Sequence, residues 1–176
     1  MSSAVLYTAF IALTAMERGL EVRLSKRHAA WSFARGGREV GAEHYPFMVV
    51  LHTGFLIACV AEVWLLHRAF VPMLGWPLLA VSLAAQGLRW WVIRTLGPRW
   101  NTRVIIVPSL PRIEGGPFRY LRHPNYLAVV TEGLALPLLH GAWITALVFT
   151  TLNALLLRVR IRVEDQALAQ LAPADR

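Results

Sequence analysis

Long apolar stretches alternate with short polar ones along the chain and predict a series of membrane-spanning helices. Four apolar runs, residues 46–67, 72–93, 125–139 and 142–157, follow a fifth, residues 4–24, whose last part is charged. At about 1.5 Å of rise per residue, roughly 20 residues are needed to cross a bilayer core of ~30 Å. We therefore expect about five transmembrane helices, with the short fourth one tilted or kinked at its internal proline.

The breaks between these runs predict how the helices are joined. Residues 68–71 and 140–141 are short, so each is expected to close an antiparallel helical hairpin. Residues 25–45 are polar and basic, which indicates a loop or an interfacial helix on anionic headgroups, with a substrate lid as the alternative. The chain is expected to form a single domain over residues 1–176.

Residues 97–124 form the longest stretch after the third run that contains no apolar span. Within it, residues 102–107 are rich in β-branched side chains and are followed by Pro108 and Pro111, which predicts a short extended segment and then a turn. The tail from Arg158 begins as a helical continuation of the fifth run. The predicted fold is an all-α integral membrane protein with a short cytoplasmic extended segment and a C-terminal helix.

Composition and charge support this interpretation. Hydrophobic residues make up 56% of the chain and charged residues 16%, whereas soluble domains average about 45–50% and about 25%. The single cysteine, Cys59, lies inside an apolar run, so we expect neither a disulfide framework nor a zinc site. The chain carries 18 Lys and Arg residues and a net charge of +8. Their clustering between apolar runs indicates membrane topology, and no nucleic-acid partner is expected.

The distribution of basic residues predicts the orientation in the membrane. With five spans, the basic segments fall on one side, and Arg68 is the basic residue left on the other. By the positive-inside rule, that basic side is cytoplasmic. The sequence therefore predicts a multi-pass protein of the inner (cytoplasmic) membrane, with its N-terminus outside and its C-terminus in the cytoplasm.

The densest set of binding groups lies in residues 115–126. Two arginines, a histidine, an asparagine and three aromatic rings occur there, and two prolines stiffen the segment. Because the fourth and fifth helices are expected to form a hairpin, this segment and the tail should meet on the cytoplasmic face. Arg160 and Glu164, four residues apart, share one face of the tail helix.

Such a corner suits a ligand that carries a carboxylate, an ammonium group and a flat base. Arginine pairs with a carboxylate, Glu164 with an ammonium group, and an aromatic or apolar wall with the base. S-adenosylmethionine has all three groups. A phosphate-bearing ligand would also suit the arginines, so the residues alone leave both open.

Two motifs carry a resemblance to a known family. They are Gly-Pro-Phe-Arg-Tyr-Leu-Arg-His-Pro-Asn-Tyr from Gly116 to Tyr126, and Arg160-Ile161-x-x-Glu164-Asp165-x-x-Leu168 on the tail. Together they resemble the isoprenylcysteine carboxyl methyltransferases, integral membrane enzymes that use S-adenosylmethionine. The N-terminal half is similar to a bacterial subgroup that methylates alkylpyrone-type lipids.

The first motif has other relatives, which define the alternatives. Its Arg-His-Pro-Asn-Tyr core is also similar to phospholipid N-methyltransferases and to NADPH-dependent membrane sterol reductases. The tail motif and the small size of the chain favour the carboxyl methyltransferases. A transport or structural protein would satisfy the apolar runs but leaves the polar corner unexplained.

The resemblance implies an S-adenosylmethionine-dependent O-methyltransferase whose acceptor is a carboxyl or hydroxyl oxygen of a lipophilic molecule from the bilayer. The cofactor-binding part covers about residues 97–170. The cofactor contacts it implies are Arg119, Arg122, His123, Pro124, Asn125, Tyr126, Arg160 and Glu164. A carboxylate acceptor needs no base, whereas a hydroxyl acceptor would gain from one, and His123 and Glu132 are the candidates. Arg89 and His52 are candidates for lining the acceptor site.

Several of these polar residues also have purely structural interpretations. The motif arginines could bind lipid headgroups, and Asn125 could cap the fourth helix. Glu132 could pair with a neighbouring helix, and Arg89 could extend to the interface beside the tryptophans. Glu62 and Gln86 are expected to form hydrogen bonds between helices.

Overall fold

Helices account for most of the computed structural model, which describes residues 2–169 and residue 171. Within these residues the helices are α1 (Ser3–Phe33), α2 (Tyr45–Leu65), α3 (Pro72–Leu96), α4 (Pro124–Leu138) and α5 (Trp143–Leu168). Two short strands, β1 (Arg38–Val40) and β2 (Val104–Ile106), lie in the same described part of the chain. The mainly helical architecture is confirmed, since each apolar run of the sequence corresponds to one helix.

The first helix is longer than its apolar run. The sequence placed residues 25–45 outside the first helix. This prediction is wrong for residues 25–33, because α1 continues through Phe33. Ser25 shows why, because its hydroxyl donates a 2.6 Å hydrogen bond to Asn101 and so gives the polar part of the helix a protein partner. At 1.5 Å per residue α1 is about 46 Å long, which exceeds a ~30 Å bilayer core. It ends just before Gly36, whose φ is +76°.

The two strands form a small antiparallel sheet beside the helices. Arg38 pairs with Ile106 in this sheet, and a 3.1 Å ion pair between Glu39 and Arg103 supports it. β2 confirms the extended segment predicted at residues 102–107. β1 was not predicted, because three residues are too few to show the alternation of a strand, and the fold is therefore not purely all-α.

The central helix of the packing is α4, which lies against both α3 and α5. Gly133 permits the close approach of α5, since a Cβ atom there would lie 2.4 Å from Cε1 of Phe149. The main apolar cluster joins α1, α2, α4 and α5 and includes Tyr7, Phe55, Leu136 and Phe149. α4 also packs against α5, and the turn between them lies at Gly141 (φ +73°).

The predicted hairpin of α2 and α3 is not formed. α3 packs chiefly against α4, whereas α2 packs against α1 and α5. In the link, Phe70 folds over the start of α3 at Gly75, where a Cβ atom would lie 2.0 Å from its ring. A short link fixes only the ends of two helices, and the side chains decide which helices pack along their length.

Two helical segments, Ala42–Leu65 and Trp143–Leu168, are long and apolar enough to cross a membrane. Only 22% and 33% of the residues in their apolar windows are buried, so most of these side chains face outward. Other large apolar side chains do the same, including Met73 at 88% exposure. Lipid accommodates such a surface and water does not. α4 has 15 residues, or about 22 Å at 1.5 Å each, so the five predicted spans remain a prediction.

Polar residues inside the helices form the expected hydrogen bonds between helices. Glu62 of α2 accepts hydrogen bonds from the backbone N–H and the hydroxyl of Thr145, both 2.7 Å, and so caps the start of α5. Arg68 completes this group with a 2.8 Å bond to Glu62. Gln86 of α3 accepts a 2.7 Å hydrogen bond from Arg18 of α1. The structural roles predicted for Glu62 and Gln86 are confirmed.

Candidate functional site

The Arg-His-Pro-Asn-Tyr motif turns a sharp corner between α3 and α4. A 3₁₀ turn, Gly116–Arg119, precedes it, and α4 begins at Pro124. Gly116 has φ +58°, and a Cβ atom there would lie 2.4 Å from Oγ1 of Thr95 near the end of α3. Only glycine fits both the dihedral and the space, so this turn places the motif close against α3.

Tyr126 on α4 connects the motif to the tail helix. Its hydroxyl accepts a 3.0 Å hydrogen bond from Nε of Arg160 and donates one to Glu164. Tyr126 and Arg160 are both buried, whereas the Glu164 side chain is 29% exposed. The convergence of the motif and tail predicted from the sequence is therefore present at the level of side-chain contacts.

Arg160 also holds the segment around β2 and the start of α2. Its Nη2 donates a 2.5 Å hydrogen bond to the backbone carbonyl of Thr102, and its Nη1 lies 3.0 Å from the sulfur of Met48. One guanidinium group thus joins α5 to α4, to the loop before β2 and to α2. Its burial at 6% exposure indicates a fixed position.

Asp165 forms a second contact between the motif and the tail. Its Oδ1 lies 3.1 Å from Nη2 of Arg122 and 3.1 Å from Nε2 of His123. The His123 ring stacks on the Tyr126 ring, with centroids 5.5 Å apart. Nδ1 of His123 lies 3.9 Å from Glu164. The motif therefore faces two adjacent carboxylates of α5.

A cavity lies between this corner and the segment that contains β2. We define the loop cavity as the space whose lining includes Trp100, residues 103–107, residues 110–113, Phe118, the motif from Arg122 to Tyr126, and the tail residues Arg160 and Glu164. Its walls combine apolar side chains of the segment with the charged groups of the motif and tail. Pro124 lines it beside His123, and the cofactor contact predicted for both residues stays a prediction.

A second and larger cavity lies among the helices. We define the helix cavity as the space whose lining includes side chains of α1 between Ala15 and Lys26, side chains of α2 between Tyr45 and Ile57, and Arg89, Trp100, Asn125, Tyr126, Asn153 and Arg160. Its volume is about 630 Å³, compared with about 150 Å³ for the loop cavity. Its lining is mostly apolar, and Val49 and Ile57 on it are 43% and 65% exposed. It therefore reaches the apolar outer surface of the protein.

The two cavities meet at four residues that line both. These residues are Trp100, Asn125, Tyr126 and Arg160. Nε1 of Trp100 and Oδ1 of Asn125 are buried and have no hydrogen-bond partner within residues 2–169 and 171. Buried polar atoms without a partner are uncommon, and two of them lie at this junction.

Four charged residues, which we name the charged cluster, contact one another between α1, α3 and α4, and Arg18, Glu21 and Arg89 among them line the helix cavity. They are Arg18 and Glu21 on α1, Arg89 on α3 and Glu132 on α4. Arg89 donates to Glu132, so it turns inward and does not extend to the interface. Glu132 has the neighbouring-helix partner that the structural interpretation predicted. Arg18 lies 3.7 Å from Glu132 and 3.2 Å from Glu21.

The remaining predicted site residues differ in their exposure and in the cavities that they line. Arg119 is exposed and does not line the loop cavity. Asn125 makes no side-chain cap to α4, so its amide remains available to a ligand. His52 lines the helix cavity and also a smaller cavity beside it, which Glu132 lines as well. Arg89 lines both of these cavities.

Four residues of the site were not predicted. They are Arg18, Glu21, Trp100 and Asp165. Asp165 stands beside Glu164 in the tail motif, and this acidic pair next to the basic motif is the signal that could have identified it. Arg18 and Glu21 follow an apolar run, which made them resemble an interfacial helix end. No signal in the sequence distinguishes Trp100 from the other tryptophans.

Comparisons with known proteins identify the family of the chain. The sequence profile described as "Isoprenylcysteine carboxyl methyltransferase (ICMT) family" matches residues 76–170, which include both motifs. The uncharacterized protein YpbQ of Bacillus subtilis (strain 168) is 36% identical over 161 residues, which cover 91% of this chain and 95% of that protein.

A second relative is an uncharacterized protein of Haemophilus influenzae. It is 30% identical over 159 residues, which cover 89% of this chain and 91% of that protein. No solved structure matches the chain significantly. The similarity to both relatives extends over nearly the whole chain and is not confined to the two motifs.

Proposed function

Because the chain belongs to the isoprenylcysteine carboxyl methyltransferase family, we propose that it is a membrane-embedded enzyme that methylates an oxygen atom of a lipophilic acceptor. The family implies a methyltransferase associated with a membrane. S-adenosylmethionine as the methyl donor, and a carboxyl or hydroxyl oxygen as the acceptor, are the finer parts of the proposal.

The observation that carries the proposal is the meeting of two chemically different cavities at Trp100, Asn125, Tyr126 and Arg160. The loop cavity offers charged and polar groups beside an apolar wall. The helix cavity is apolar and reaches the outer surface. A transfer between a polar donor and a lipid acceptor needs such a junction, because the two reacting atoms must come within about 3–3.5 Å of each other.

The residues of the loop cavity fit the three parts of S-adenosylmethionine. Glu164 offers a carboxylate to the ammonium group, Arg122 can pair with the carboxylate, and Val107 and Phe118 belong to an apolar wall for the base. The unpartnered amide oxygen of Asn125 adds an acceptor. When bound, this cofactor supplies an electrophilic methyl group on a positively charged sulfur.

The protein's own contribution is mainly alignment and the exclusion of water. Tyr126 and Arg160, locked to each other and to Glu164, provide rigid walls where the two cavities join. A carboxylate acceptor is already a nucleophile at neutral pH. A hydroxyl acceptor would gain from a base, and His123 beside Asp165 lies on the side of the loop cavity.

The helix cavity is the proposed acceptor site. Its exposed apolar rim at Val49 and Ile57 suits an acceptor that arrives laterally from lipid. His52 and Arg89, the acceptor-site candidates from the sequence, both line it. We further propose that the protein is multi-pass in the inner membrane, with the motif and tail in the cytoplasm, where S-adenosylmethionine is available.

A titration of purified protein in detergent tests the cofactor. S-adenosylhomocysteine should bind, NADPH should not, and Glu164→Ala and His123→Ala should each weaken the binding by about tenfold, the effect of about 1.4 kcal/mol. Glu43→Ala, an exposed carboxylate on the turn before α2, is the matched control and should bind normally.

Two results would contradict this proposal. Tight binding of NADPH without any response to S-adenosylhomocysteine would favour a reductase of the sterol-reductase type. Binding of S-adenosylhomocysteine together with methylation of a phospholipid amine, and not of a lipid carboxyl or hydroxyl group, would identify a phospholipid N-methyltransferase.

A further inference from the structure

Residues 100–102, which we name the junction segment, lie between α3 and β2 and contact both α2 and α5. Trp100 lines both cavities, and Thr102 lines the helix cavity. Oγ1 of Thr102 lies 3.2 Å from the hydroxyl oxygen of Tyr45 on α2. The carbonyl of Thr102 accepts the 2.5 Å hydrogen bond from Arg160 on α5. The junction segment therefore forms part of the walls where the two cavities meet.

Ser25 of α1 holds the junction segment from the other side. It is 3% exposed, and its hydroxyl donates a 2.6 Å hydrogen bond to Oδ1 of Asn101. The same oxygen accepts a 3.1 Å hydrogen bond from the backbone N–H of Thr102 and lies 2.8 Å from Oγ1 of Thr102. In return, Nδ2 of Asn101 donates a 3.2 Å hydrogen bond to the Ser25 carbonyl. One buried side chain thus contacts both polar residues of the segment.

The direction of these hydrogen bonds follows from counting protons. A hydroxyl group has one proton to donate and two lone pairs that accept. Because the Ser25 proton goes to Asn101, the hydroxyl of Thr102 must donate to Ser25. The hydroxyl of Tyr45 must then donate to Thr102. A directed chain of hydrogen bonds therefore runs from α2 through Thr102 to α1, and Ser25 uses its full hydrogen-bonding capacity.

This chain restrains the residue that holds Arg160. Ser25 binds the backbone N–H and the side chain of Thr102, so the position of the Thr102 carbonyl is restrained as well. That carbonyl holds Nη2 of Arg160, whereas Nε of Arg160 donates to Tyr126. Tyr126 in turn donates to Glu164. The Ser25 hydroxyl is therefore connected to the groups of the loop cavity through Thr102 and Arg160.

From these contacts we propose that Ser25 is a positioning residue, which acts through Thr102 on the Arg160 guanidinium group and thereby on the cofactor site. The proposal rests on the methyltransferase function proposed above. Ser25 lines neither the loop cavity nor the helix cavity, so its effect on a bound cofactor is indirect. It gives a function to the part of α1 that continues beyond the apolar run, which is to fix the junction of the two cavities.

Titration of purified protein in detergent with S-adenosylhomocysteine tests this role. Ser25→Ala should weaken the binding by about three- to tenfold, the effect of about one net hydrogen bond. Ser25→Thr keeps the hydroxyl group and should recover most of the affinity. Ser82→Ala is the matched control, because Ser82 is also 3% exposed but its hydroxyl has no hydrogen-bond partner within residues 2–169 and 171. It should bind as the wild-type protein does.

A double-variant comparison separates positioning from a general loss of stability. Tyr45→Phe removes the first donor of the chain and should weaken the binding by about two- to threefold. Because Ser25 and Tyr45 both act through Thr102, the combined variant should lose less affinity than the product of the two single losses. Combined with Ser82→Ala, the effect of Tyr45→Phe should instead multiply. The unfolding temperature of each variant is measured on the same preparations.

A variant of Thr102 makes the test independent of Ser25→Ala. Thr102→Val removes Oγ1 and keeps the shape of the side chain, so it interrupts the same chain. It should weaken the binding of S-adenosylhomocysteine, and the addition of Tyr45→Phe should then have little further effect. This pair of variants gives the comparison if Ser25→Ala does not yield folded protein.

The outcomes separate this inference from the function on which it rests. A wild-type protein that does not bind S-adenosylhomocysteine overturns the proposed function. A wild-type protein that binds it, together with a Ser25→Ala variant of equal affinity, overturns the role of Ser25 alone. The same holds if Ser25→Thr unfolds at the wild-type temperature but binds no better than Ser25→Ala, or if the losses of Ser25→Ala and Tyr45→Phe multiply.

Discussion

The hydroxyl group of Tyr126 joins two charged side chains of α5, since it accepts a 3.0 Å hydrogen bond from Arg160 and donates one to Glu164. Tyr126 lies in the first turn of α4, where this helix contacts α5 and where the loop and helix cavities meet. This one side chain therefore couples the position of the tail helix to the shape of both cavities.

Removal of that hydroxyl should weaken cofactor binding more than it disturbs the fold. Tyr126→Phe keeps the ring and its stacking with His123 but leaves Arg160 and Glu164 without their shared partner. Hydrogen bonds to charged groups contribute about 1.5–3 kcal/mol, so the affinity for S-adenosylhomocysteine should fall by about ten- to 100-fold. Calorimetric titration in detergent measures this change.

Tyr120→Phe is the control, because Tyr120 belongs to the same motif but is 74% exposed. It should bind S-adenosylhomocysteine as the wild-type protein does. Equal affinities for the wild-type protein and Tyr126→Phe would show that the Tyr126 hydroxyl does not organise the cofactor site.

The turn before the motif should depend on one of its two adjacent glycines and not on the other. Gly116 has φ +58°, and a Cβ atom there would lie 2.4 Å from Oγ1 of Thr95, whereas a Cβ atom on Gly115 would meet nothing within 4 Å. Gly116→Ala should therefore destabilise the protein by about 1–3 kcal/mol, and Gly115→Ala should have little effect. Thermal unfolding in detergent gives the comparison.

A second variant separates the steric clash from the backbone strain. Thr95→Ala removes Oγ1 and Cγ2, the atoms nearest to the added Cβ, but it leaves φ of Gly116 unchanged. Combined with Gly116→Ala, it should restore part of the lost stability. A Gly116→Ala variant as stable as the wild-type protein would contradict the positive φ of this turn.

Much of the helical architecture and part of the site follow from the sequence because their causes are local. The apolar runs have the length of helices. The short break at residues 140–141 holds the adjacent ends of α4 and α5 together, and Gly133 lets the two helices pack closely. This packing brings Tyr126 to Arg160 and Glu164, the contact between motif and tail that the sequence predicted. The motif is also a continuous stretch of sequence, so its residues are neighbours without any knowledge of the fold.

The features that were not predicted depend on contacts between distant segments. The pairing of β1 with β2 joins residues more than 60 positions apart, and three-residue strands leave no periodic signal. The burial of Glu21 depends on Arg89 of α3 and Glu132 of α4, which come from distant parts of the chain. The sequence around Glu21 therefore does not reveal it. The packing of α3 on α4, and not on α2, could not be predicted either, because the short link before α3 does not determine which helix α3 contacts along its length.

The Arg89–Glu132 pair should contribute more to stability as a pair than either residue does alone. The two side chains are buried and hydrogen-bonded between α3 and α4. Removing one partner of a buried ion pair typically costs about 3–5 kcal/mol. The cost here should lie toward the lower end, because Glu132 keeps Arg18 at 3.7 Å and Arg89 keeps Glu21 at 3.9 Å. Arg89→Met and Glu132→Leu should therefore each lower the unfolding temperature strongly, while the double variant should be more stable than either single variant.

The same variants test the catalytic role predicted for Glu132. If Glu132 is mainly a partner of Arg89, the double variant should still bind S-adenosylhomocysteine. Strictly additive losses in the double variant would show that the two side chains do not stabilise the protein as a pair. The unfolding temperature and the binding affinity, measured on the same detergent preparations, distinguish these results.

The predicted orientation in the membrane can be tested with single cysteines. Cys59 is buried and can be replaced by serine as a background. A cysteine at Ala69, in the exposed link between α2 and α3, should react from outside intact spheroplasts with a membrane-impermeant maleimide. A cysteine at Ser109, in the exposed loop after β2, should react only once the membrane is opened, because this loop carries the basic residues expected in the cytoplasm. Labelling of both positions from the same side would contradict an odd number of spans between them and would require a different placement of α3.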